Sequence, residues 1–109
     1  GVAARPSPVS YSVLFRHNAE RDAERAQDWY SLHAPEQVDR FTDDLAATIT
    51  SIRQSPYAFR VLRRDARRAA LRIFPYLVWY RIHDELQVIE VLAVVHQRQE
   101  HERLQSHLD

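Results

Sequence analysis

The sequence has no cysteine and no lysine, and its one glycine is Gly1. The lack of cysteine removes disulfides, thiolate metal sites and a cysteine nucleophile, and it suits a reducing cytosol. The lack of lysine removes Schiff-base chemistry. With glycine confined to the first position, neither a G-x-G-x-x-G fingerprint nor a Walker-type phosphate loop can form, because both need glycine where backbone approaches phosphate. The common nucleotide-cofactor enzymes are thereby excluded, and no cofactor is expected. Fifteen arginines balance fifteen acids, for a formal net charge of zero. That argues against a general nucleic-acid coat or a polybasic membrane binder. No apolar run reaches the ~20 residues of a membrane span, so no membrane partner is expected.

What is present is a chain of 109 residues, the length of one small domain with one core. Residues 1–10 hold Pro6 and Pro8 and little to bury, and they read as a flexible leader. Residues 11–109 read as a single domain. YSVLF (11–15) predicts a first strand. Asn18 is placed to cap the next helix, whose less polar positions, Ala19, Ala23, Ala26, Tyr30 and His33, share one face, with Trp29 widening the stripe. Pro35 opens a second helix, in which Val38, Phe41, Leu45, Ile49 and Ile52 recur at steps of three and four. Ser55-Pro56 ends it. So short a link between two helices predicts an antiparallel hairpin.

The period then changes. ARRAALRIF is β-capable, Pro75 interrupts it, YLVWYRI alternates in steps of two, HDEL is a turn, and QVIEVLAVV is apolar on both faces except at Glu90. A strand of that kind belongs inside a sheet. The predicted fold is α+β: an N-terminal strand, an antiparallel helical hairpin, then a three-stranded antiparallel sheet, with the tail EHERLQSHLD able to add a short C-terminal helix.

Charge is segregated. Residues 18–44 carry eight acids and three arginines, whereas residues 60–72 carry six arginines and one aspartate. Arg60, Arg63, Arg64, Arg67, Arg68 and Arg72 suit a docking surface for phosphate or carboxylate groups, since the guanidinium fork grips either with paired hydrogen bonds. The plainer reading is a solvated charge run. The histidines lack the spacing of a metal-binding helix, so no metal is expected. His96 and Arg98 stand where the last strand leaves the core. There a histidine can serve as general base and an arginine can orient a phosphate, with Arg81 on the neighbouring strand. The plainer reading has His96 bonded to backbone. Tyr76, Trp79 and Tyr80 either stack bases or fill the core, and Trp79 and Tyr80 point to opposite faces.

FPYLVWYRI, a turn at HDE and then VIEVLAVVHQR resemble the C-terminal half of the RelE/ParE superfamily of bacterial toxins. NAERDAERAQDWYSLHAPEQVDRFTDDLAATITSIRQSP resembles that family's helical hairpin, down to the tryptophan-tyrosine pair and the proline opening the second helix. The resemblance covers residues 11–104. It implies a cytoplasmic toxin of a type II toxin–antitoxin module, held inactive in a hetero-oligomer with a cognate antitoxin. Antitoxin or target would then dock on Arg60, Arg63, Arg64, Arg67 and Arg81. Superfamily members of the RelE kind are ribosome-dependent mRNA endonucleases. By resemblance their catalytic pattern falls on Arg68, Arg72 and Arg98, with His96 as an added candidate. The arginine expected after Tyr76 is Leu77 here, however, and the C-terminal tyrosine position holds Leu104. Members of the ParE kind poison DNA gyrase, and the ending VVHQRQEHERL is closer to theirs. The expected function is therefore a gyrase-binding toxin, with an mRNA endonuclease as the alternative and a non-toxic binding remnant as a third reading.

Overall fold

The computed structural model describes residues 11–100. The fold is organised around β5 (Val88–His96), which is almost wholly buried. It lies between β1 (Ser12–Phe15), with which it runs parallel, and β4 (Tyr76–His83), with which it runs antiparallel. β3 (Ala66–Ala70) and β2 (Val61–Arg63) extend the sheet beyond β4, giving the order β1-β5-β4-β3-β2. Burial on both faces and pairing on both edges explain why β5 is apolar throughout its middle.

Between β1 and β2 run α1 (His17–His33) and α2 (Val38–Gln54), joined by a 3-10 turn at Pro35–Gln37. Ala19 and Ala26 on α1 are small enough to let the helix backbone approach β5, against which it packs. α2 contributes Phe41, Leu45 and Ile52, all buried. Phe41 meets Tyr30, Phe74 and Tyr76 at ring centroids of 5.1–5.5 Å. Tyr80 is fully buried on the same side. Its hydroxyl donates to the Pro56 carbonyl at 2.6 Å and so pins the exit of α2 to the sheet. The opposite, far face of the sheet has its own apolar cluster of Ala66, Leu77, Trp79, Leu92, Ala93 and Val95. Among the described residues, no helix is long and apolar enough to cross a membrane.

Several expectations need correction. Four strands follow the helices rather than three, because Val61–Arg63 forms an edge strand paired with β3. Val61 and Leu62 on that strand are 45% and 40% exposed, so no alternation of burial betrays it in the sequence. Asn18 does not cap α1. The N-cap is Arg16, without a side-chain cap, and Asn18 lies inside the first turn. Trp29 does not widen the buried stripe. It is 51% exposed and stacks on His33 with centroids 4.5 Å apart. The expected leader (1–10), the C-terminal helix and Leu104 lie outside the described residues.

Candidate binding site

β1 is short. Its last pair is Phe15 with Val91, so among the described residues the outer edge of β5 has no strand neighbour beyond that point. α1 crosses there instead, and the Asp22 carboxylate accepts the Val94 N–H at 3.1 Å. The space between α1, the end of β5 and the turn Gln97–Gln99 is a cleft of about 450 Å³, lined by Arg25, Trp29, Tyr76, His96 and Arg98 among others. Its wall is aromatic: Tyr76 packs edge-on against His96 at 5.2 Å, and the two residues are directly opposed in the ladder. Burial, and the neighbouring Tyr30 hydroxyl after it, push the Tyr76 phenol up to about 12. At neutral pH Tyr76 is therefore a hydrogen-bond donor and no base. His96 Nδ1 accepts the Arg98 N–H at 3.1 Å and caps the turn. The Arg98 side chain is exposed.

The structure brings His96 and Arg98 together but not with the other nuclease-pattern residues. Strand alternation puts Arg68 on the far face, opposite Trp79 in the ladder. There Arg68 Nη1 donates to both Glu100 oxygens at 2.9 Å. Trp79 Nε1 donates to the same carboxylate at 3.2 Å. Leu77, also on the far face, is buried among apolar neighbours. Arg72 is exposed beside α2, where its backbone N–H bonds to Asp44.

The remaining arginines also divide. Arg67 points to the helix side, donates to the Phe59 carbonyl at 2.6 Å and lies over the Tyr57 ring. Arg81 pairs with Asp65 at 2.9 Å and Glu90 at 3.6 Å. Glu90 also receives His83 at 2.7 Å and Arg16 at 3.1 Å. Burial pushes the Glu90 carboxyl up, but the His83 hydrogen bond and the charges of Arg16, Arg81 and His83 overcome it and leave a lowered value. Arg60 and Arg64 are exposed and Arg63 is half-buried, around the β2–β3 hairpin. Arg64 takes a positive φ of 56°, a turn position where glycine is most at ease.

Two buried acids escaped the sequence reading. Asp22 secures α1 to β5. Asp44 accepts the backbone N–H groups of Arg72, Ile73 and Phe74 at 3.2, 2.8 and 2.9 Å, and thereby fixes the β3–β4 turn. Both interrupt apolar helix faces, at Ala19-Asp22-Ala26 and Phe41-Asp44-Leu45-Thr48. An acid inside a buried stripe is the signal that would have found them.

A parallel edge strand, a helical hairpin on one face and an antiparallel meander define the fold of small RelE/ParE-type toxins. Its solved relatives include the chromosomal ParDE toxin–antitoxin system from P. aeruginosa, with a TM-score of 0.69 at 19% identity, covering 80% of this chain and 96% of that one. A double-arginine mutant of E. coli toxin RelE in the free state has a TM-score of 0.59 at 18% identity, covering 90% and 93%. The RelBE2 toxin–antitoxin complex from Mycobacterium tuberculosis has a TM-score of 0.56 at 24% identity, covering 81% and 92%. Among curated proteins none matches significantly. The family model described as the ParE toxin of the type II toxin–antitoxin system parDE matches residues 13–101, and the chain belongs to that family. It is the toxin component of a type II toxin–antitoxin module.

Proposed function

We propose that this toxin halts growth in the cytoplasm by binding a cellular target, DNA gyrase, and not by cutting mRNA. One observation carries the reading. The position where the nuclease pattern requires an arginine is Leu77, 6% exposed and enclosed by Trp79, Leu92 and Val95. A leucine neither stabilises developing charge nor transfers a proton. The division of Arg68, Arg72 and Arg98 between different surfaces supports the same conclusion. Arg60, Arg63 and Arg64, at the β2 edge, supply the docking surface for a cognate antitoxin through ion pairs and backbone pairing. With purified toxin, the expected results are inhibited gyrase supercoiling and intact mRNA on programmed ribosomes. Ribosome-dependent cleavage with supercoiling untouched would reverse the assignment.

A second reading, the endonuclease, is favoured by one fact. His96 and Arg98 share a cleft, and the Arg98 side chain makes no ion pair among the described residues. In that case Arg98→Ala abolishes cleavage and keeps antitoxin binding. If both assays are negative and expression is harmless, the protein is a binding remnant of such a module.

A further inference from the structure

The cleft at the end of β5 holds a combination that neither the gyrase reading nor the docking hairpin uses. Trp29 presents a large, half-exposed aromatic surface at its rim. His33 already lies on it as a near-parallel stacked ring, with 21° between the planes. Arg25, with a 60% exposed side chain, and Arg98 lie along the same opening. The volume of about 450 Å³ is within the roughly 300–1,000 Å³ typical of small-molecule sites.

We propose that this cleft binds a nucleotide, with its base laid against Trp29 and its phosphate held by Arg25 and Arg98. Stacking on an aromatic side chain is open to any base, and the guanidinium forks match phosphate oxygens. The arrangement has a polarity. The Asp22 carboxylate is buried at the floor, where it repels a phosphate, so the phosphate belongs at the rim with the arginines. Arg25 Nη1 makes a long, 3.9 Å ion pair with that acid's Oδ1, and its mostly exposed side chain still reaches the rim. Tyr76 adds a protonated hydroxyl to the wall. A zero net charge means that affinity rests on this one constellation and not on a general field. The ligand is either a free nucleotide or one unit of a single strand, because the chemistry of recognition is the same. Nucleotide binding in this cleft does not depend on gyrase being the target.

The protein is built for the test, because its two tryptophans differ. Trp29 is 51% exposed, whereas Trp79 is 2% exposed and bonded to Glu100. Tryptophan emission of the purified toxin is followed while AMP, a short oligoadenylate or inorganic phosphate is added. Saturable quenching by AMP or the oligomer is expected, absent in Trp29→Leu and at least about five-fold weaker in Arg98→Ala and Arg25→Ala. Both arginines are exposed, so circular dichroism should show both variants folded. AMP acting alone identifies a free nucleotide, and a tighter oligomer identifies a strand. The proposal is overturned if AMP and the oligomer give no saturation up to about 10 mM, if phosphate alone binds as well as they do, or if the arginine variants bind unchanged.

Discussion

The two faces of the sheet are both buried, but by different means. The helix face is closed by two helices and an aromatic stack of Tyr30, Phe41, Phe74 and Tyr76, with Tyr80 beneath the exit of α2. Aliphatic side chains and Trp79 fill the far face, and arginine–carboxylate pairs rim it: Arg68 with Glu100 at one end, and Arg16, Arg81 and His83 around Glu90 at the other. The lesson is that arginine in this chain does two jobs. On the far face it is committed to internal pairs that border the core. At the end of β5, Arg98 faces solvent beside a cleft, where it is available to a ligand.

The strongest way to break the comparison is to put an arginine where the far face has none. Leu77→Arg places an unpaired charge in an apolar cluster and should cost about 3–5 kcal/mol in urea unfolding. It should not create a nuclease. A variant of near-native stability that cuts mRNA would show the far face to be a latent active site. On the helix face, Asp44→Ala leaves three backbone N–H groups without their acceptor. The expected loss is about 3 kcal/mol, with the β3–β4 turn losing amide-exchange protection ahead of α1. Uniform loss of protection would mean that Asp44 supports the whole fold and not that turn.

A third test uses pH. The Glu90 carboxyl is lowered in the folded state from its ordinary value of 4.5. Its contribution is therefore full above that value and is lost as pH falls through the lower, folded one. Glu90→Gln should flatten the acid limb of stability against pH, with the wild type and the variant converging once pH has fallen below the lowered, folded value. An unchanged acid limb would show that the far-face ion pairs are electrostatically idle. The smallest effect should come from the β4–β5 turn. Gln87 holds φ at 58°, so Gln87→Gly is expected to gain up to about 1 kcal/mol in thermal unfolding. A loss there would mean that the Gln87 side-chain bond to the Asp84 carbonyl outweighs the backbone strain.

Much of the fold was legible because period and punctuation agree. Phe41, Leu45 and Ile52 mark one helix face, Ser55-Pro56 ends the helix, and the apolar run of β5 requires neighbours on both edges. β2 was not legible, since a three-residue edge strand with exposed Val61 and Leu62 has no buried face to create a pattern. The site was legible in part. His96 and Arg98 are near in sequence and share a turn. Their conjunction with Arg25 and Trp29 depends on where β1 stops and on how closely Ala19 and Ala26 let α1 approach β5. Those are tertiary facts without a local signature. The arginine run divides for a related reason: strand alternation sends Arg67 and Arg68 to opposite faces, which a linear charge count conceals.

Gyrase binding without mRNA cleavage remains the proposal for this toxin. Its most direct test is pulse labelling of DNA and protein synthesis in the first minutes after induction, in bacteria without the antitoxin. DNA synthesis is expected to fail first while translation continues. Translation collapsing first, with DNA synthesis intact, would contradict it.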